Sequence, residues 1–182
     1  MTDAASELAV LRDVSRRLEG AAIPYMLTGS LAMSFYTTPR MTRDIDVVAE
    51  LERPDVDRIV QLFEPTYYVS REAVWEAVRD RSSFNLIEQE SVTKVDIFPR
   101  KRDHFREVEF SRRRRVSIAG FDTWLATAED LVIAKLLWAR DSRSEVQLRD
   151  IRALLHADLD REYIGQWTAA LGLNDLWQEV QR

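Results

Sequence analysis

The 182-residue chain contains no cysteine. Disulfides, a thiolate nucleophile and a cysteine-ligated zinc or iron–sulfur centre are therefore excluded. Histidine is nearly absent too: His104 and His156 are the only two, and neither has companions at metal-ligand spacing. There is no excess of positive charge. Lys and Arg number 26 against 31 Asp and Glu, a net charge of -5. The molecule as a whole should not be drawn to nucleic acid or to an anionic membrane, and only a local basic patch would serve that purpose. Long apolar runs are also missing, none approaching the roughly 20 residues that cross a bilayer. The first residues, MTDAASELAVLRDVSRRLEG, carry early acids and no signal-peptide block. The expectation is a cytoplasmic protein with no membrane partner.

What remains is ordinary globular material, 46% apolar and 31% charged, in a chain long enough for one proper core. Leu8, Leu11, Val14 and Leu18 recur at helical spacing until Gly20 and Pro24 break the pattern. Tyr25 to Thr28 reads as a short strand ending at Gly29-Ser30, followed by a turn or two of helix over Leu31 to Tyr36 and a loop, TTPRMTR. Asp44 to Val48 reads as a second strand. Helices are expected over Pro54–Leu62 and Arg71–Arg79, and strands over Phe84–Ile87 and Lys94–Phe98. From His104 the pattern is unclear until RRRRVSI, which reads as entering a strand. Gly120-Phe121-Asp122 is turn-like, and Trp124-Leu125 suits a brief strand. Thr127 then offers an N-cap with Asp130 three residues on, ahead of a helix over Ala128–Asp141. A loop, SRSEVQ, precedes helical pieces near Leu148–Leu155, Tyr163–Leu171 and Leu176–Val180. The fold class is thus α/β (α+β), a small mixed sheet with flanking helices followed by a helical C-terminal part. The division is an α/β core with its N-terminal helix over 1–122 and a helical region over 123–182, or a single domain.

The sharpest local signal is Asp44-Ile45-Asp46. Alternation along a strand sends both carboxylates to one face and Ile45 and Val47 to the other. Two carboxylates about 7 Å apart at Cβ repel, and a divalent cation between them removes that repulsion. Mg2+, or Mn2+, suits oxygen ligands of this kind and commonly holds phosphate oxygens as well. Asp96, in Lys94-Val95-Asp96-Ile97-Phe98, has the same setting and completes a three-carboxylate cluster if the two strands are neighbours. Its alternative is an ion pair with Lys94. Gly29 permits close backbone approach, and Ser30 either holds phosphate oxygens at the helix start or merely caps the helix.

These residues together resemble the nucleotidyltransferase superfamily of the polymerase-beta type, in particular the small bacterial branch of AbiEii-like toxins and minimal nucleotidyltransferases. The likeness lies in Gly29-Ser30, Asp44-Ile45-Asp46-Val47 and Val95-Asp96-Ile97. It continues in Arg40-Met41-Thr42-Arg43 and in Glu129-Asp130-Leu131, Lys135 and Arg149-Asp150-Ile151. The resemblance implies that Gly29, Ser30, Arg43 and Lys135 contact the nucleotide and that Asp44, Asp46 and Asp96 bind metal and carry catalysis. The stretch Phe35-Tyr36-Thr37-Thr38-Pro39-Arg40-Met41 departs from the Arg-Gly and Ser that minimal members often carry there. The implied activity is metal-dependent transfer of a nucleoside monophosphate from an NTP to an acceptor hydroxyl, with release of pyrophosphate. The acceptor would be a tRNA, a protein or a small hydroxylated molecule. The alternatives are a non-catalytic nucleotide- or partner-binding module, as in a toxin–antitoxin pair, and an antibiotic-type small-molecule nucleotidyltransferase. A homodimer or a cognate protein partner would close an open cleft.

Weaker features keep two readings. Arg40 and Arg43 suit phosphate or nearby acids. Lys135 either snorkels or faces an anionic pocket, and Asp150 is either a helix-start charge or a partner of Arg149. The run Arg112 to Arg115 suits an RNA backbone or a solvated surface. The five tryptophans suit core or interface packing better than base stacking.

Overall fold

The computed structural model of the protein describes residues 3–38, 44–142 and 144–182, with side chains from residue 6 onward among them. Helix α1 (Asp3–Gly20) lays Val10, Leu11, Val14 and Leu18 into the core. Strand β1 (Tyr25–Thr28) runs directly into the short helix α2 (Gly29–Met33). Next come β2 (Asp44–Ala49), a 3-10 turn at Arg53–Asp55, α3 (Val56–Phe63), β3 (Tyr67–Tyr68) and α4 (Arg71–Asp80). Strands β4 (Phe84–Glu88) and β5 (Lys94–Pro99) follow, then α5 (His104–Ser111), β6 (Arg114–Ile118) and β7 (Phe121–Leu125). Helices α6 (Ala128–Ser142), α7 (Glu145–Leu154), α8 (Arg161–Ala170) and α9 (Asn174–Val180) complete the order.

The strands form one mixed sheet in the order β3-β4-β5-β2-β1-β7-β6. Strand β2 is its centre, antiparallel to β1 and parallel to β5. Such a strand must have one dry face, and Ile45, Val47 and Ala49 are fully buried. Strand β7 pairs parallel with β1, so residues 123–125 belong to the same sheet as the N-terminal strands. One apolar cluster runs from Val10 and Leu11 through Ile45 and Val95 to Ile151 and Val180.

The structure departs from the sequence reading in four places. Residues His104 to Ser111 are helical, capped by the Asp103 carboxylate, which accepts from the Arg106 N–H at 3.1 Å. The buried side of α5 is Phe105, Glu109 and Phe110, and the acid in that stripe hides the helical period. The turn before β7 is Ala119-Gly120, with φ of 47° and 84°, and Ile118 pairs with Phe121 across it. Two positive φ values define a two-residue primed hairpin turn, so Phe121 and Asp122 already belong to the strand. Helix α7 starts at Glu145, inside the expected loop. Strand β3, two residues long, is too short to leave a period.

The cap at Thr127 is present. Its hydroxyl accepts from the Asp130 N–H at 3.3 Å and donates to the Asp130 carboxylate at 2.7 Å. Helix α6 is buried on most of its circumference, including Glu129, Asp130 and Lys135. Each charge has partners: Arg112 and the Tyr163 hydroxyl for Asp130, Arg112 and the Asp160 N–H for Glu129. A helix this deeply seated can hold its polar groups only if they are paired.

Candidate active site

The sequence reading turns on whether the strands bearing Asp46 and Asp96 are neighbours, and they are. Strands β2 and β5 pair in parallel with Asp46 opposite Asp96 and Asp44 opposite Lys94. On the other side of β2, Thr28 is level with Asp46, so the end of β1 delivers Gly29 and Ser30 to the same place. Asp44, Asp46 and Asp96 therefore rise from one end of the polar face of the sheet, opposite the face that buries Ile45, Val47, Val95 and Ile97.

Gly29 is required by two independent facts. Its φ is +69°, a conformation that a side chain resists. A Cβ there would also lie 2.0 Å from Asp46 Oδ2 and 2.8 Å from Asp46 Cβ. The glycine lets the start of α2 sit directly on the Asp46 carboxylate.

The charges at this end are concentrated. Burial, followed by the Asp96 and Asp44 carboxylates, pushes Asp46 up to about 6, while Lys135 and Lys94 act in the opposite direction. Lys94 stands between two of the acids, its ammonium 2.9 Å from Asp96 Oδ2 and 3.5 Å from Asp44 Oδ1. The hydrogen bond to Asp96 leads the interactions that raise the Lys94 pKa. The ion pair that sequence spacing offered as the alternative for Asp96 thus exists within the cluster itself.

Lys135 stands on α6. Its side chain is buried and donates to Asp150 Oδ2 at 2.9 Å and to Gln147 Oε1 at 3.1 Å, both on α7. Snorkelling to solvent is ruled out by that burial, and Lys135 is a partner of Asp150. Its positive charge is felt at Asp46. Sequence reasoning undervalued Lys94, although it lies two residues before Asp96 and so on the same strand face. It had no signal at all for Gln147. Arg40 and Arg43 lie outside the described residues.

The arginine run is largely engaged within the molecule. Arg112 pairs with Asp130 at 3.1 Å and stacks on Tyr163, Arg113 covers Phe110 and Trp124, and Arg115 pairs with Asp122 at 3.3 Å. Of the tryptophans, Trp177 is buried and Trp167 packs against Phe105, whereas Trp138 is 57% exposed.

No protein-family model and no curated protein matches the sequence. The fold is that of the nucleotidyltransferases. The structure is similar to the antibiotic-resistance factor ANT(2'')-Ia, with a TM-score of 0.66 and 14% identity over 96% of both chains. A crystal structure of ANT(2'')-Ia with adenylyl-2''-tobramycin matches at 0.56, with 12% identity over 94% of this chain and 99% of that one. The lincomycin-bound lincosamide antibiotic adenylyltransferase LnuA matches at 0.54, with 17% identity over 83% of this chain and 96% of that one. An antigenic nucleotidyltransferase-like protein from Paracoccidioides brasiliensis matches at 0.55, with 16% identity over 97% of this chain and 93% of that one.

Proposed function

We propose that the protein transfers a nucleoside monophosphate from an NTP to an acceptor hydroxyl and releases pyrophosphate. The observation that carries this reading is the register of β2 and β5, which sets Asp46 beside Asp96 with Gly29 packed onto Asp46. The donor set suits a hard divalent cation, Mg2+ or Mn2+. Asp44, Asp46 and Asp96 offer carboxylate oxygens only, and a cation, the Lys94 ammonium, already lies between two of them. Among the described residues no three acids converge closely enough to enclose an ion unaided. Magnesium accepts such a partial site when substrate phosphates complete its shell.

Asp44, Asp46 and Asp96 would hold the ion. When bound, it would neutralise charge building on the phosphoryl group and on the departing pyrophosphate. Asp96 would take the proton of the acceptor hydroxyl as that oxygen bonds to the α-phosphorus and the bond to the pyrophosphate oxygen breaks. Gly29 permits close approach of the triphosphate, and the Ser30 hydroxyl would donate to it. Lys135, held by Asp150 and Gln147, supplies a fixed positive potential where negative charge gathers. Arg43 is the remaining candidate for a phosphate contact.

A small hydroxylated molecule is the acceptor class we favour. Its support is that the similarity to ANT(2'')-Ia and LnuA extends over most of this chain.

The test is calorimetric titration of ATP, GTP, CTP and UTP with magnesium into wild type and Asp46→Asn. Magnesium-dependent micromolar binding that the variant loses while staying folded would support the site. The nucleotide so found is then offered with aminoglycosides, lincosamides and tRNA, and pyrophosphate release is followed. Failure of folded wild type to bind any NTP would sink the reading and leave a partner-binding module in its place.

A further inference from the structure

Two lysines serve the acidic end of the sheet, and they are built differently. Lys135 is locked: its side chain and that of Asp150 are 6% and 2% exposed, so their 2.9 Å pair is sealed from water. Lys94 lies at the mouth. Its side chain is 38% exposed, and its partners Asp44 and Asp96 are 51% and 16% exposed. A solvent-accessible ion pair contributes little net stability and is readily exchanged for another cation. A buried pair is not, because leaving either charge unpaired costs too much.

The position of Lys94 also follows from the strand. It is two residues before Asp96, hence on the same face, and the parallel register puts it level with Asp44. Its four-carbon stem then carries the ammonium to 2.9 Å from Asp96 Oδ2 and 3.5 Å from Asp44 Oδ1. A divalent ion held by the same carboxylates would compete with the ammonium for them. A triphosphate arriving with its metal would bring oxygens that can take over the ammonium.

We propose that Lys94 is a tethered counter-ion that holds the Asp44–Asp96 position when no metal is present and competes with a divalent cation for it, so that the ion enters with the nucleotide rather than alone. The inference rests on the metal-dependent reading of this site. It makes Lys94 a residue that sets the order of binding, not one that takes part in the chemistry.

Mn2+ binding in the absence of nucleotide, followed by electron paramagnetic resonance, tests it directly. Wild type should bind Mn2+ weakly, Lys94→Gln at least about tenfold more tightly, a modest figure for removing one adjacent unit charge, and Lys94→Arg as weakly as wild type. Thermal unfolding supplies a second readout. Mn2+ should raise the midpoint of Lys94→Gln more than that of wild type. Equal Mn2+ affinity in wild type and Lys94→Gln would overturn the proposal. If wild type still bound magnesium–NTP through Asp46, the metal-dependent reading would stand and only the role of Lys94 would fall. Absence of any Mn2+ or magnesium–NTP binding in wild type and variant alike would overturn both.

Discussion

Replacing Gly29 by alanine should disturb the carboxylate cluster at the end of β2. The new Cβ would lie 2.0 Å from Asp46 Oδ2, 2.7 Å from its Cγ and 2.8 Å from its Cβ. Ordinary contact begins near 3.4 Å, so the carboxylate oxygen would have to retreat by 3.4 − 2.0 = 1.4 Å. Rotation about χ1 cannot achieve this alone, because the Asp46 Cβ is itself too close and is fixed to β2. The strand must yield, which for an overpacked site costs about 1–3 kcal/mol. Alanine at φ +69° adds roughly 1–2 kcal/mol of backbone strain. A loss of about 2–5 kcal/mol should therefore appear in urea unfolding, most of the stability of a marginal domain but not all of that of an ordinary one. A displacement of about 1 Å in a reacting geometry costs on the order of 100-fold in rate. Pyrophosphate release should fall by at least that factor, and magnesium-dependent NTP binding should weaken with it. Gly165→Ala is the control. A Cβ there meets nothing within 4 Å, and its helix α8 should gain up to about 1 kcal/mol. If Gly29→Ala kept wild-type stability and turnover, the close packing of the glycine on Asp46 would have no functional meaning and the argument would be refuted.

Further outcomes follow from the buried charges. Asp150→Ala would leave the Lys135 ammonium buried with Gln147 as its only partner among the described residues, and a loss of about 3–5 kcal/mol is expected. Chemical denaturation checks this, and a loss under 1 kcal/mol would mean that the pair is exposed to water. Burial pushes Glu109 up to about 7, against the opposing pull of Arg106 and with help from Asp130 and Asp103. An acid whose pKa is raised on folding favours the folded state fully below its unfolded pKa, and that contribution is lost as pH rises through the folded value. Stability should accordingly decline between about pH 4.5 and pH 7, by up to roughly 3 kcal/mol from this group. The decline should flatten in Glu109→Gln, and an unchanged pH profile in that variant would exclude Glu109 as its source.

Much of the fold was readable because the segments are periodic and individually punctuated. The alternation in Asp44 to Val48 and Lys94 to Phe98 assigned strands and faces correctly, since a two-residue period leaves no freedom in which side chains share a side. Thr127 with Asp130 marked the start of α6 because a cap is a local hydrogen-bonding device. Helix α5 escaped notice because Glu109 sits in its buried stripe, tolerable only beside Arg106, and that pairing is visible only once the helix exists. Strand β3 is held to β4 by two register pairs and has no period of its own.

The candidate site divides along the same line. The chemistry of each position, an acid-x-acid strand, a later strand acid and a glycine at a turn, was determined by residue type and spacing alone. Whether those residues meet was not, because pairing of β2 with β5 joins segments about fifty residues apart, and nothing local specifies which strands become neighbours or in which register. The same long-range pairing put Lys94 between Asp44 and Asp96. The packing of α6 on α7 turned Lys135 from a surface cation into the buried partner of Asp150. Local periodicity set which atoms were available; the tertiary fold decided which charges stand next to each other, and electrostatic chemistry depends on that separation.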